Sequence, residues 1–210
     1  MKLKFWNPYQ LRQLCIEKMD FFVNDNLIEP EPGDLLISEP YLPDPNFNRT
    51  VVLICEHDEN GTVGFILNRK SKSVFSDVIV EVAHFDAPLY IGGPVQHDTL
   101  HFIHKDMCEM ESGQSLGKRL VWGGDFNRLL TRIDTHQLDK NNYRFFVGYS
   151  GWFPGQLMEE LKTKSWIVYQ NKDEKLIFDF SSKDLWKKVL RDMGGKYSLI
   201  SNYPDDPRLN

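Results

Sequence analysis

The ten residues Gly148-Tyr149-Ser150-Gly151-Trp152-Phe153-Pro154-Gly155-Gln156-Leu157 constrain this chain more than any other stretch. Three glycines, a proline and three aromatics stand there between an apolar run, Tyr143 to Val147, and a run from Gln156 to Lys162. The apolar run is rich in aromatic and branched residues and predicts a strand. The second run predicts a helix, with Leu157 and Leu161 on one face. Pro154 suits the first helical turn, where its missing N–H has no intrahelical partner to lose. The segment between is therefore expected to be a tight corner filled with aromatic rings. Its glycines admit angles or close approaches that a side chain forbids. One reading gives them a ligand, because main-chain N–H groups near a helix start can hold an anion. The other lets them turn the chain while Trp152 goes into the core.

The flanking sequence supplies mixed elements. Tyr9 to Val23 has helical spacing, and the polar, proline-bearing stretch from Asn24 to Pro32 reads as a tether. Residues 1–32 are thus expected to be an extension and linker, and 33–210 the main domain. Asp34 to Ser38 predicts a strand. Thr50–His57 and Thr62–Asn68 predict a hairpin across Asn60-Gly61. Both hairpin strands are almost continuously apolar, so both faces are expected to be covered. Ser73 to His84 carries Val74, Phe75, Val78, Ile79 and Val82 in helical rhythm. Short strands are expected at Leu89–Ile91, Leu100–His104, Arg119–Trp122, Trp166–Tyr169 and Leu176–Phe178. Helices are expected at Phe126–Ile133, capped by Asp125, and after Ser182, ending at Gly194-Gly195. Hairpins beside helices, without a regular strand–helix–strand repeat, predict an α+β fold.

Composition narrows location and partners. The three cysteines are odd in number and far apart, fitting neither a disulfide framework nor a zinc set, which suggests a reducing cytoplasm. No apolar run reaches the roughly 20 residues of a membrane span, and the N-terminus lacks the apolar stretch of a signal peptide. A net charge of -5 gives no general attraction to nucleic acid. The best basic stripe, Lys183, Lys187 and Arg191, is diluted by Asp184 and Asp192 and reads as a solvated helix face. Direct DNA binding is not expected.

Candidate chemistry is sparse. His97, His101 and His104 would share one face on a helix and could then hold zinc. The local sequence predicts a strand, which turns His101 and His104 to opposite faces. Ser150 lacks the final glycine of a nucleophile elbow, because Trp152 stands there. Gly113 to Lys118 is too short for a phosphate loop and runs on to Arg119, and Gly194-Gly195-Lys196 follows a helix instead of opening one. Cys108 has no cationic neighbour in sequence to lower its thiol pKa. Arg69 can clamp an anion, or Asn68-Arg69 can tie a strand end to a neighbouring loop.

Taken in order, these segments resemble the YqgE/AlgH family. The opening is carried by Gly33-x-Leu35-Leu36-Ile37-Ser38-x-Pro40, Asp44 and Phe47-x-Arg49-x-Val51. Glu56-His57 and Gly61-x-x-Gly64-Phe65-x-Leu67-Asn68-Arg69 match the family hairpin. Gly92-Gly93-Pro94-Val95 with His104 matches its centre. Gly148 to Leu157 with Glu160 matches its most specific signature. Trp166 and Pro207-Arg208-Leu209-Asn210 match its end. The resemblance covers about Gly33 to Asn210. It implies an α+β domain whose mixed, mostly antiparallel, branched sheet curls into a partial barrel with flanking helices. Members are called transcriptional regulators, and no catalytic residues come with the resemblance. The expectation is a cytoplasmic, non-enzymatic binding or regulatory module, engaging a protein or small molecule without cofactor or metal. Its surface is expected at Asn68, Arg69, Gly92, Gly93, Pro94, Gly151 and Trp152. The alternative is a hydrolase or metal-dependent enzyme using the same glycine-lined loops.

Overall fold

The structure, a computed structural model, describes residues 28–105, 112–117, 119–172, 174–178 and 184–204. The expected helix at Tyr9–Val23, most of the tether, Cys108, Lys183 and the Ser182 cap lie outside them.

Among the described residues, ten strands form one forked sheet. They are β1 (Leu35–Ser38), β2 (Val51–Asp58), β3 (Gly61–Ile66), β4 (Lys70–Val74), β5 (Pro88–Ile91), β6 (Val95–Lys105), β7 (Gln114–Ser115), β8 (Leu120–Trp122), β9 (Tyr143–Trp152) and β10 (Trp166–Tyr169). The main path runs β10-β1-β2-β3-β9-β6-β8-β7, and β4 and β5 form a side branch attached to β9. All pairings are antiparallel except β5 with β9. The path starts at β10 and ends at β7, so the sheet, expected to curl into a partial barrel, is open and is not closed into a barrel. Among the described residues, four helices, α1 (Phe126–Asp134), α2 (Gln156–Lys162), α3 (Leu185–Met193) and α4 (Gly195–Ile200), complete the α+β architecture.

The period of two in the strands determines which core each side chain enters. Leu35, Ile37, Val51, Leu53, Cys55, Phe65 and Leu67 enter one cluster, with Trp186, Val189 and Leu190 of α3 and Ile200 of α4. Their alternates Leu36, Val52, Ile54 and Ile66 enter a second, against Leu157 and Leu161 of α2. On β9, Phe146 belongs to the first cluster. Phe145 belongs to a third, built with Leu129 and Ile133 of α1. One side of the sheet therefore carries a continuous core, and the other side carries two. This explains the unbroken apolar runs of the hairpin: both faces are covered. A slip of one residue would exchange the two cores.

β9 is the strand where the sheet forks. Phe145, Phe146 and Val147 pair with Leu89, Tyr90 and Ile91 of β5. β6 pairs along the same stretch, and Ser150, Gly151 and Trp152 pair with β3. Gly148 lies at the change of neighbour with φ 64, and a Cβ there would sit 2.7 Å from Val95 O. Only glycine satisfies both conditions. The expected corner is thereby corrected. The chain stays extended through Trp152 and turns only at 153–155, where Gly155 caps α2 at φ 76. Pro154 precedes that cap and lies outside the helix.

Two other expectations fail. Ser73–His84 is the end of β4 followed by two 3-10 turns, Phe75–Asp77 and Val80–Val82. Val78, Ile79 and Val80 are β-branched and lose rotamer freedom in a helix, pairing with β5 draws Val74 into a strand, and Asp77 Oδ2 accepts from Val74 N–H at 2.8 Å. Leu176–Phe178 is a turn, with Ile177 N–H donating to Glu174 O. By contrast, Asp125 caps α1 as expected, its carboxylate accepting from the N–H groups of Asn127 and Arg128.

Candidate functional site

The expected surface residues separate into internal and external groups. Asn68 is a tie: Oδ1 accepts from Val51 N–H at 3.0 Å and Nδ2 donates to Arg49 O at 2.7 Å. Arg69 donates through Nη2 to Pro45 O, and its own carbonyl accepts from Ile91 N–H. Gly92 O accepts from Ile66 N–H, and Lys70 pairs with Tyr90. Asn68-Arg69 and Gly92-Gly93 are therefore neighbours. Gly151 and Trp152 pair instead with Val63 and Thr62, toward the other end of β3. Four residues of strand, about 13 Å, separate Thr62 from Ile66. Trp152 is 5% exposed and belongs to the core, whereas Pro94 and Gly151 face solvent.

Most groups with catalytic potential are engaged in holding the fold. Ser150, fully buried, donates its hydroxyl to Gly92 O at 3.0 Å. His104 lies with Nδ1 against Lys105 O and Nε2 against Gly123 O, stacked with Phe102 and Tyr143. Burial, reinforced by the Glu56 charge, pushes the Cys55 thiol pKa well up. His97 is exposed, and no group of three metal-ligating residues occurs among the described residues.

Two arginines that the sequence placed merely in a strand and a motif are structural centres. Arg144 is 2% exposed, lies 4.0 Å over the Tyr90 ring and donates to Leu67 O and Ile177 O. Arg49, at φ 49, sits over Trp186 and donates to Tyr203 O at 2.8 Å.

One cluster is different. His101, Trp122 and Tyr149 are half-buried and meet beside the Phe65 ring. His101 lies 5.1 Å from Phe65, 6.2 Å from Trp122 and 6.0 Å from Tyr149, centroid to centroid. Phe65 is fully buried and stacked on Phe146, so the base of the patch is rigid core. Gly92 packs against Phe65, because a Cβ there would lie 2.8 Å from its Cδ1. A Cβ on Gly93 would collide with the Tyr149 backbone at 2.3 Å. These glycines allow the loop after β5 to lie flat beside the rings.

The polar tips of the three rings are unspent. Trp122 Nε1, Tyr149 Oη and His101 Nδ1 have no hydrogen-bond partner among the described residues and are reachable by solvent. The indole N–H groups of Trp152, Trp166 and Trp186 are all satisfied, the first two by Glu160 Oε2 and the third by Ser38 O. Burial lowers the His101 pKa. In sequence, His101 drew notice only as a metal candidate, and Trp122 only as a strand residue. The signal that joins them is spatial: His101 and Trp122 sit on paired strands, two residues out of register, and Tyr149 directly follows the Gly148 kink.

The forked α+β sheet defines a small mixed-sheet domain with a glycine-framed, half-buried aromatic patch. The chain belongs to the AlgH-like family, whose model matches residues 35–198. It is 44% identical over 179 residues to a UPF0301 protein of Cytophaga hutchinsonii, covering 85% of this chain and 98% of that one. A UPF0301 protein of Chlorobium limicola is 40% identical, with 85% and 95% covered. Among solved structures, a protein of Corynebacterium diphtheriae superposes with TM-score 0.71 at 28% identity, covering 84% of this chain and 94% of that one. The AlgH protein of Pseudomonas aeruginosa superposes with TM-score 0.65 at 27% identity, with 84% and 98% covered. No helix among the described residues is long and apolar enough to cross a membrane.

Proposed function

We propose that this protein is a non-enzymatic binding module, serving a regulatory role in the cytoplasm, and that its ligand sits on the patch of His101, Trp122 and Tyr149. The observation that carries this reading is the contrast in hydrogen bonding. Ser150 and His104 have their polar atoms bound within the fold, while each of three adjacent rings on a rigid base keeps one polar atom free: His101 Nδ1, Trp122 Nε1 and Tyr149 Oη. Aromatic bodies with polar tips are the side chains that binding surfaces favour. Gly92, Gly93 and Pro94 frame this surface. Asn68 ties the adjoining strand end to Arg49 and Val51, Arg69 neighbours the same loop, and Trp152 and Gly151 lie at the other end of β3, outside this surface. A hydrolase draws no support from Ser150, whose hydroxyl already serves Gly92 O. Direct DNA binding draws none from α3, where Asp192 sits beside Arg191.

A fragment survey by NMR tests the reading. Shifts are expected to concentrate on the amides of Tyr149, Gly93 and His101 and on the Trp122 indole. Hits that map elsewhere, or a survey in which the patch never responds, would remove it.

A further inference from the structure

The hydrogen bonds around His101 determine which tautomer it adopts, and the tautomer specifies a ligand. Thr99 Oγ1 lies 2.8 Å from Gln96 O. A carbonyl can only accept, so the Thr99 proton is committed to it. The same oxygen lies 3.0 Å from His101 Nε2 and must therefore accept from it. His101 consequently carries its proton on Nε2, and Nδ1 is a bare lone pair. Gln96 to Thr99 form the irregular stretch between the Val95 and Leu100 pairings, with Gln96 at φ 46. This protruding turn gives the hydroxyl its position. A half-buried acceptor flanked by aromatic rings lacks one complement, a donor on a flat partner.

Resting on the binding reading above, we infer that the patch takes an uncharged planar heteroaromatic ring that presents an N–H donor to His101 Nδ1. The rings of Trp122 and Tyr149 supply face and edge contacts to such a ring. Trp122 Nε1–H offers a donor to an acceptor on the ligand's rim, and Tyr149 Oη can serve in either sense. A nucleobase or an indole has this chemistry. A saturated apolar ligand would leave all three polar tips unpaired, and no carboxylate is among the described partners of these rings to balance a charged one.

The test uses matched probes on the full chain. 9-Methyladenine keeps its exocyclic N–H donors, whereas N6,N6,9-trimethyladenine has none; indole and 1-methylindole make a second pair. Affinities from NMR titration should favour the donor member of at least one pair by about tenfold. His101→Phe, which keeps the flat ring and removes the acceptor, should erase that preference without unfolding the protein. In the unbound protein, imidazole 15N shifts should place the proton on Nε2, and Thr99→Val should redistribute it toward Nδ1. Equal affinity within both pairs, a preference that survives His101→Phe, or no binding by either donor probe would overturn the ligand class. If fragments of other chemistry still perturb the patch, the binding reading stands alone. If none does, both fall.

Discussion

Two aromatic clusters occupy different places on this sheet, and they differ in what happens to their polar atoms. In the cluster around Trp152, the Trp166 ring lies 5.7 Å away edge-on, and Phe47 meets both indoles. Glu160 Oε2 accepts from both indole N–H groups, at 2.9 and 2.7 Å, and Gln156 Nε2 donates to its other oxygen. Nothing is left over. Around Phe65 the rings of His101, Trp122 and Tyr149 pack equally well, yet His101 Nδ1, Trp122 Nε1 and Tyr149 Oη remain free. Closed bonding marks a region built for stability. Open bonding at tips that reach solvent leaves them available to a ligand, as the proposed binding role requires.

The contrast is tested most severely at Trp152. Trp152→Ala removes a buried ring from the second core and strands the Glu160 carboxylate with one indole donor fewer. The expected loss is about 3–5 kcal/mol, read by denaturant unfolding. A loss below about 1 kcal/mol would show that this cluster is not the closed structural one described. Glu160→Ala should follow at about 2–4 kcal/mol, because two buried indole N–H groups lose their shared acceptor. The two losses should not add, since both changes break the same contacts; a double-mutant cycle would report the coupling.

Much of this first cluster was legible in the sequence. Leu157 and Leu161 at a spacing of four announced the buried face of α2, whereas Trp152 read both as a core ring and as part of the expected surface, and only the first reading agrees with its burial. The hairpin was legible for the same reason: Asn60-Gly61 and unbroken apolar runs are local signals. The forked sheet was implied only by the family resemblance and not by local signals, because the change of partner along β9 depends on contacts between Gly148 and Val95, more than 50 residues apart. The rhythm of Val74, Val78, Ile79 and Val82 misled, since apolar spacing does not register the reluctance of branched residues to enter a helix. The second cluster was illegible as a unit. His101, Trp122 and Tyr149 are brought together only by the register of β6 with β8 and β9. The histidine spacing would suit metal only on a helix; the expected strand is β6, and its alternation turns His101 toward Phe65 and His104 toward Phe102 and Tyr143.

The same contrast predicts an asymmetry between two conservative changes. Trp166→Phe deletes an indole N–H that serves a carboxylate and should cost about 1–3 kcal/mol. Trp122→Phe deletes one that serves nothing inside the protein and should fall within about 1 kcal/mol of wild type, the residual being lost ring area. Equal costs at the two sites would mean that the Trp122 N–H has an internal partner and that the second cluster is closed after all.

The smallest effect is also the most specific. Burial lowers the pKa of His101 in the folded protein below the ordinary value of 6.5. The unfolded chain therefore binds a proton first as the pH falls. Above about 6.5 the imidazole is neutral in both states, and the stability linked to this group is fully present. As the pH drops through the depressed folded value, that stability is lost, because the protonated ring must stay beside Phe65, Trp122 and Tyr149. His101→Phe should flatten this part of the stability–pH curve and leave the rest, including contributions from surface carboxylates, in place. A curve with the same slope near neutrality in both proteins would mean that the imidazole is fully hydrated. The rings around it would then be a loose surface cluster, with no sheltered acceptor for a ligand to find.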